Sequence, residues 1–465
     1  MKTRTFDVIV IGAGPAGENV AGRCAENGMA VAIIERELVG GECSYWGCMP
    51  SKVLLRAGDV LAAARRVPGA APAVTGGVDA AATFALRDQF TSNWDDTGSL
   101  PWLTDRKIAI VRGTGSLTGE RAVEVHASDR DVERLTATTA VVIATGTSAA
   151  IPPIPGLAEA KPWNNRDITM TSVVPARLLV IGGGAIGLEM AQAFRRLGSA
   201  EVTVFEAGSR LQAREEPFVG VEIKAALEAE GIGIEVGVGL RRVWRDPNDG
   251  SVNIELNDDR TFVGDEVLVA AGRRPSTTTL GLETIGLTPG KYIDVDDQLR
   301  ATGVAGGWLY AVGDCNGRAL LTHMGKYQAR AAADVILGRE ASAWADHTAV
   351  PRVTFTDPQI CAVGLTEAQA REAGVDVRTV QYATGATAGG AVVGTSFLGT
   401  SQLVIDHARR VIVGATFVGP GVQELLHSAT IAIVGEVTLD RLWHAVPSFP
   451  TVSEVWLRLL EAYGL

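Results

Sequence analysis

The 465-residue chain carries a formal net charge of −11 and five cysteines. An acidic surface argues against nucleic-acid binding or electrostatic attraction to anionic membranes, and no run approaches the roughly 18 apolar residues of a membrane span. The length calls for about three domains, and Cys24, Cys43, Cys48, Cys315 and Cys361 are too sparse a set for a disulfide-stapled secreted protein, so the chain reads as cytoplasmic.

Met1 to Val10 has the basic start and apolar run of a signal peptide, but the run passes straight into Gly12-Ala13-Gly14-Pro15-Ala16-Gly17. A buried parallel strand over Phe6 to Ile11 explains it better. A helix to about Asn27 and a second strand, Ala30 to Ile34, follow, and Glu35 closes that strand 23 positions after Gly12. Glycines that let the backbone approach a pyrophosphate, a helix N-terminus facing its charge and an acid for the ribose hydroxyls make a dinucleotide fingerprint.

Gly40-Gly41-Glu42-Cys43-Ser44-Tyr45-Trp46-Gly47-Cys48-Met49-Pro50-Ser51-Lys52 places two cysteines, four residues apart, before a helical run. Pro50 suits a first turn, so Cys48 is expected near a helix N-terminus, where dipole and backbone N–H groups favour a thiolate. The pair reads as a redox-active disulfide rather than a structural staple. With no second pair at metal-ligand spacing, no metal site is expected.

Residues 68–102 are read as one more helix and a loop. Ala140 to Thr145 is a strand ending in Ala144-Thr145-Gly146, and Ile151-Pro152-Pro153-Ile154-Pro155-Gly156 is a stiff linker taken as a domain boundary. The first pattern then repeats: strand Leu178 to Ile181, turn Gly182-Gly183-Gly184-Ala185-Ile186-Gly187, strand Val202 to Phe205 and an acid, Glu206. Two such folds imply two dinucleotides. A carboxylate at Glu206 accepts from a free ribose hydroxyl and repels a 2′-phosphate, favouring NAD(H) over NADP(H), although Arg210 nearby could soften the preference.

Val267 to Ala271 is a strand before Gly272-Arg273-Arg274-Pro275, and Leu309 to Val312 leads to Gly313-Asp314-Cys315, where an Asp at a strand end could hold a polyol. Leu321-Thr322-His323-Met324-Gly325-Lys326 opens an Ala-rich helix. From about Ala349, alternating strands and two helices, the last over Val455 to Tyr463, form a third domain without a nucleotide motif.

With these motifs the chain resembles the pyridine-nucleotide disulfide oxidoreductases over nearly its whole length, most specifically in the cysteine loop ending Pro50-Ser51-Lys52 and in the tail Pro450-Thr451-Val452-Ser453-Glu454. The resemblance implies an α/β fold with two Rossmann-like domains and a C-terminal α+β dimerisation domain. The boundaries are 1–150 with 276–345 for FAD, 151–275 for NAD(P) and 346–465 for the interface of a homodimer. It implies FAD held by Gly12, Gly14, Pro15, Ala16, Gly17, Glu35, Arg36, Gly41, Glu42, Ala144, Thr145, Gly146, Gly313, Asp314, Leu321, Thr322 and His323. Gly182, Gly184, Ala185, Ile186, Gly187, Glu206, Gly272 and Arg273 complete the cofactor set, and Lys52 and Glu189 match an ion pair beside the flavin. By analogy, NADH delivers hydride to the flavin and the flavin reduces Cys43–Cys48, with Cys48 the thiolate facing it and Cys43 the interchange thiol.

One departure bears on function. Family disulfide reductases carry His-Pro-Thr-x-x-Glu in the tail, contributed across the dimer, whereas alignment on Pro450, Thr451 and Glu454 puts Phe449 at the histidine position. A phenyl ring moves no proton. Candidate replacements are His444, better read as an interface histidine, and Glu454, better read as a structural carboxylate; alternatively the acceptor needs no protein base. Tyr45 and Trp46 could stack such an acceptor or pack the loop. Mercuric reductase, which also lacks this histidine, uses a C-terminal cysteine pair that Glu461-Ala462-Tyr463-Gly464-Leu465 does not contain, so mercury reduction is not expected. The leading expectation is a small-molecule acceptor of the low-molecular-weight disulfide class. Quinone or metal-ion reduction, a soluble transhydrogenase activity, and a binding protein sensing the NADH/NAD ratio are the alternatives.

Overall fold

Residues 8–11, the second half of strand Lys2–Ile11, and residues 31–34 of strand Val31–Glu35 are all Val, Ile or Ala, the composition of strands buried on both faces. In the computed structural model, which describes residues 2–127, 131–395 and 399–465, these strands lie in the middle of a sheet. Its order is Ala109–Arg112, Val31–Glu35, Lys2–Ile11, Val132–Ile143, Ala122–His126 and Thr114–Gly119, with Leu309–Ala311 also pairing Val132–Ile143. Ile11 stands opposite both Ile34 and Ile143, so the turns after the first and the long strand open at one edge. Alternation sends Val8, Val10, Ile33 and Val142 to the face covered by helices Pro15–Glu26 and Thr322–Ile336, and Ile9, Ile11, Ile34 and Val141 to the other. This sheet belongs to a unit made of Met1–Pro50, Asp88–Ala149 and Arg273–Asp346.

The second unit comprises Ser51–Arg87, Ala150–Gly272 and His347–Leu465. It repeats the parallel motif in the order Ile232–Val236, Glu201–Glu206, Arg177–Ile181 and Glu266–Val269, with helix Ala185–Leu197 after the turn. It also holds a five-stranded antiparallel sheet, Arg352–Thr354, Gln359–Gly364, Val411–Gly419, Thr400–Asp406 and Val377–Ala383. Leu54, Phe194, Ile360 and Val418 share one core of this unit. Among the described residues no helix is long and apolar enough to cross a membrane.

Two stretches differ from the sequence expectation. Residues 68–102 contain two helices, Ala80–Phe90 and Leu100–Thr104, with short 3-10 turns, rather than one helix and a loop. The pattern is hidden because Arg87 occupies the buried face of Ala80–Phe90, 1% exposed, donating to the carbonyls of Thr169 and Thr171 at 2.8 and 2.6 Å. In the C-terminal region the short helices Glu367–Glu372, Ala388–Val393 and Leu439–Leu442 add to the two expected ones. Segments of one or two turns carry no readable 3.6 period.

Candidate active site: two dinucleotide turns and a dithiol

The first turn is built around glycines the chain itself requires. Gly12 has φ +105°, and a Cβ there would lie 2.5 Å from the Ala144 carbonyl oxygen; at Gly17 it would lie 1.9 Å from the Gly12 oxygen. Gly14 is different, with φ −76° and nothing within 4 Å of its would-be Cβ. No packing demands glycine there, so the open space before Pro15 and Ala16, at the N-terminus of their helix, is a cradle for something other than protein. Glu35 braces the turn, accepting from Ala13 N at 2.8 Å and Glu37 N at 2.7 Å, and each oxygen keeps a lone pair for a ribose; Arg36 beside it is exposed. Thr145 Oγ1 is buried with no partner among the described residues. Thr147 donates to Asp314 at 2.6 Å and accepts from Arg273 at 2.6 Å, while Arg273 also lies 3.8 Å from Glu42 and from Asp314. Burial raises the Asp314 carboxyl. Gly313 is fixed by its N–H to Gln328 at 2.7 Å. The open cradle, the orphaned Thr145 hydroxyl and the half-buried Asp314 fit the FAD implied for this region.

Cys48 is the first residue of helix Cys48–Arg66, and Cys43 lies in a short helix, Gly41–Tyr45, where the sequence suggested a loop. Cys48 Sγ is 3.3 Å from Oγ1 of Thr322, which follows Leu321 and precedes the exposed His323 at the start of its helix. The Cys43 thiol is driven far above its ordinary range, first by its hydrogen bond to Cys48 and then by burial. Cys48, the first residue of its helix, stands at the end where the helix dipole favours negative charge. Cys24 and Cys315 are fully buried and pushed up to about 12, and Cys361, equally buried, is raised as well. Those three are inert by environment. Tyr45 and Trp46 are 4% and 7% exposed and the Tyr45 carbonyl accepts from Trp94 Nε1 at 3.1 Å, so both rings pack the loop.

In the second unit, Gly182 has φ +119° and a Gly187 Cβ would meet the Gly182 oxygen at 2.0 Å, while Gly184, before Ala185 and Ile186, again faces nothing within 4 Å. Glu206 accepts from Gly183 N at 2.8 Å and Gly208 N at 2.6 Å. Arg210 is committed elsewhere, donating to the carbonyls of Ala213 at 2.9 Å and Glu215 at 2.8 Å. Gly272 takes φ +144° with open space around it; its sequence neighbour Arg273 is held by Thr147.

Lys52 Nζ lies 2.8 Å from Glu189 Oε2, and Glu189, 4% exposed, accepts from Phe355 N at 2.9 Å through its other oxygen. The ammonium also sits 4.4 Å over the Phe355 ring. Phe355 escaped the sequence reading because nothing in its neighbourhood marks it apart from an ordinary strand aromatic.

Glu454 is buried and accepts from Ala388 N at 3.0 Å and Arg458 at 2.6 Å, and Arg458 above all holds its carboxyl below the usual range. His444 is exposed, its N–H bonded to the Arg441 carbonyl, and Phe449 is 76% exposed.

The profile of the pyridine nucleotide-disulphide oxidoreductases matches residues 6–333, and that of their dimerisation domain matches residues 350–459. Mercuric reductase of Staphylococcus aureus is 32% identical over 453 residues, spanning 97% of this chain and 81% of the relative. Dihydrolipoyl dehydrogenase of Haloferax volcanii is 32% identical over 466 residues, 98% and 95% of the two chains. The fold is that of the HOCl-induced flavoprotein disulfide reductase RclA of Escherichia coli, solved as a Cu(II) complex, with TM-score 0.86 at 24% identity over 98% and 99% of the two chains. LpdA of Mycobacterium tuberculosis gives TM-score 0.86 at 23% identity over the full length of both. The chain belongs to the pyridine nucleotide-disulphide oxidoreductases, FAD-dependent enzymes that use a pyridine nucleotide.

Proposed function

We propose that this protein is a homodimeric FAD enzyme that takes reducing equivalents from NADH and reduces a low-molecular-weight disulfide through Cys43 and Cys48. The observation that carries the reading is the hydrogen-bonded pair Cys43 and Cys48, with Thr322 at 3.3 Å from Cys48, while the other three cysteines are buried. Bound FAD supplies the hydride acceptor that joins a two-electron donor to the disulfide.

The residues divide the remaining work. Gly12, Gly14, Gly17, Glu35 and Asp314, with Thr145, hold the cofactor in a domain of 1–150 and 276–345, and residues 151–275 bind the nicotinamide dinucleotide. Lys52 and Glu189 keep a fixed charge pair. Cys48 holds the negative charge of the reduced pair, and Cys43 ionises to attack the acceptor, so that a mixed disulfide forms and Cys48 then displaces the second product thiol. Glu206 favours NADH, and Arg210, spent on backbone carbonyls, is not offered to a 2′-phosphate. Residues 346–465 form the dimer interface in a cytoplasmic, reducing setting.

A Cys43→Ser variant tests the route: turnover with disulfides should fall by about three orders of magnitude or more, as expected for loss of a nucleophile. Unchanged turnover with every acceptor would sink the reading.

A second reading, reduction of a metal ion or quinone, is favoured by Phe449, which leaves the thiol–disulfide step without the family's imidazole, and by the mercuric reductases among the relatives. Oxidation of the reduced enzyme by metal ions or quinones no faster than by dioxygen would remove it.

A further inference from the structure

Trp94 and Asp96 lie on a segment that no sequence motif marks, and both reach the dithiol loop. Ser92, Asn93 and Trp94 take φ of +50°, +53° and +57°, three left-handed residues in succession with no glycine among them. L side chains disfavour that conformation, and such a run persists only where its surroundings hold it. The Trp94 indole donates to the Tyr45 carbonyl at 3.1 Å, and the Tyr45 phenol bonds Ser99 on the same segment. Asp96, 8% exposed, accepts through one oxygen from Val39 N at 2.7 Å and from Arg112 at 2.6 Å, and Arg112 in turn donates to the Glu37 carbonyl at 3.0 Å. The segment thus grips both ends of the stretch that carries Cys43: Val39, just before Gly40 and Gly41, and Tyr45, where helix Gly41–Tyr45 closes. That helix is little more than one turn, too short to keep its own shape.

We propose that Trp94 and Asp96 are positioning residues for the redox couple: by fixing the two ends of the Cys43 helix they hold Cys43 against Cys48 and weight the thiol–disulfide equilibrium toward the disulfide. The inference rests on the reading that Cys43 and Cys48 form a redox pair. In the structure both are free thiols, with Cys43 hydrogen-bonded to Cys48, so the loop already keeps the pair in contact. A disulfide demands sulfurs about 2 Å apart and Cβ atoms about 4 Å apart, whereas two thiols tolerate many separations. Restricting Cys43 raises its effective concentration at Cys48 and favours the bonded state. Releasing the ends frees the reduced loop more than the oxidised one, which its own S–S bond still tethers. In the reducing direction that bond breaks, two electrons and two protons arrive from a dithiol donor, and the donor closes to its own disulfide.

The test equilibrates FAD-loaded enzyme with graded ratios of reduced and oxidised dithiothreitol, traps free thiols with N-ethylmaleimide and reads the labelling of Cys43 and Cys48 by mass spectrometry. Trp94→Phe keeps an aromatic ring and removes the N–H; it should shift the equilibrium constant about three- to tenfold toward the dithiol, about 15 to 30 mV for a two-electron couple. Asp96→Ala should shift it at least as far, while Asp96→Asn, whose amide oxygen still accepts from Val39 N, should stay nearer the parent. Asp334→Asn is the control: it weakens a clamp of the same unit, where Arg23 holds Asp334 with two bonds of 2.7 Å, and should lower the thermal midpoint without moving the equilibrium. Flavin absorbance per protein checks that each variant is folded. No shift in Trp94→Phe and Asp96→Ala, a shift toward the disulfide, or an equal shift in Asp334→Asn would overturn the proposal. Because dithiothreitol bypasses NADH, the equilibrium reports on the two residues whatever acceptor the enzyme uses. A failure of NADH to reduce the pair would count against the proposed function alone.

Discussion

At Gly12–Gly17 and again at Gly182–Gly187 the first glycine takes a positive φ beneath a carbonyl oxygen, the last packs onto the first, and an acid from the next strand holds a backbone N–H inside the turn at 2.8 Å. One helical turn later the copies part. The residue after the last glycine is Glu18, half-buried and acidic, in the first copy, and Leu188, fully buried, in the second; the next is Asn19, capping back onto the Pro15 carbonyl at 2.8 Å, against Glu189, which reaches Lys52. The second copy thus places a carboxylate against a lysine at a position where the first carries an amide that folds back on its own helix. The repeat dictates the phosphate cradle, and the turn after it carries the chemistry particular to each site.

The glycines offer the hardest test of that division. Gly17→Ala and Gly187→Ala should behave alike, because each new Cβ would sit 1.9 or 2.0 Å from a backbone oxygen; a loss of about 3 kcal/mol, read by denaturant titration, is expected for both. Gly14→Val and Gly184→Val should separate. A Cβ at either position meets nothing within 4 Å, so thermal midpoints of the cofactor-free chain should hold, while flavin retention falls only in the first and the KM for NADH rises about tenfold or more only in the second. A cofactor-free chain destabilised by Gly14→Val would mean that the opening is structural.

Next in size is Lys52→Met. It strands the carboxylate of Glu189, which is 4% exposed and keeps the Phe355 N–H on its other oxygen. A destabilisation of about 1–3 kcal/mol is expected, recovered in part by the double change with Glu189→Gln. No recovery in the double variant would show that the lysine acts by packing on Phe355 rather than by charge.

The two acids at the ends of the second strands sharpen the comparison further. Glu206→Gln should shift the NADH-over-NADPH preference in kcat/KM by about tenfold toward NADPH, the scale of one charged hydrogen bond, and leave flavin content unchanged. Glu35→Gln should do the reverse, loosening flavin and sparing the nucleotide preference. Equal effects of both changes on flavin content would contradict the separate roles given to the copies.

Much of this was legible from residue order because glycine geometry and strand hydrophobicity are local. Gly12, Gly17, Gly182 and Gly187 are required by contacts within their own turns, and Glu35 and Glu206 follow at strand ends, so spacing alone finds them. Lys52 and Glu189 are 137 positions apart and only a family resemblance could pair them. Phe355 beneath the lysine and Arg87 buried in a helix face had no signal, since each depends on two distant segments meeting. The alternatives for Tyr45, Trp46 and Arg210 were open in sequence and depended on which backbone groups the fold brings near.

The smallest effect on the folded chain belongs to the residue that shaped the functional question. Phe449 is 76% exposed, and Val446 and Trp443 nearby are 85% and 38% exposed, an apolar run that the single chain does not bury. Phe449→Ala should therefore change the unfolding free energy of the separated subunit by no more than about 0.5 kcal/mol. If a second copy covers this surface, the same change removes apolar area from the interface, and the dimer dissociation constant measured by analytical ultracentrifugation should rise about tenfold or more. Phe449→His is the companion: it keeps an aromatic ring and adds a proton carrier, so disulfide turnover should gain a new pH dependence near 6.5 with association little changed. Weakened association with no gain in turnover would place the aromatic tail in the interface alone.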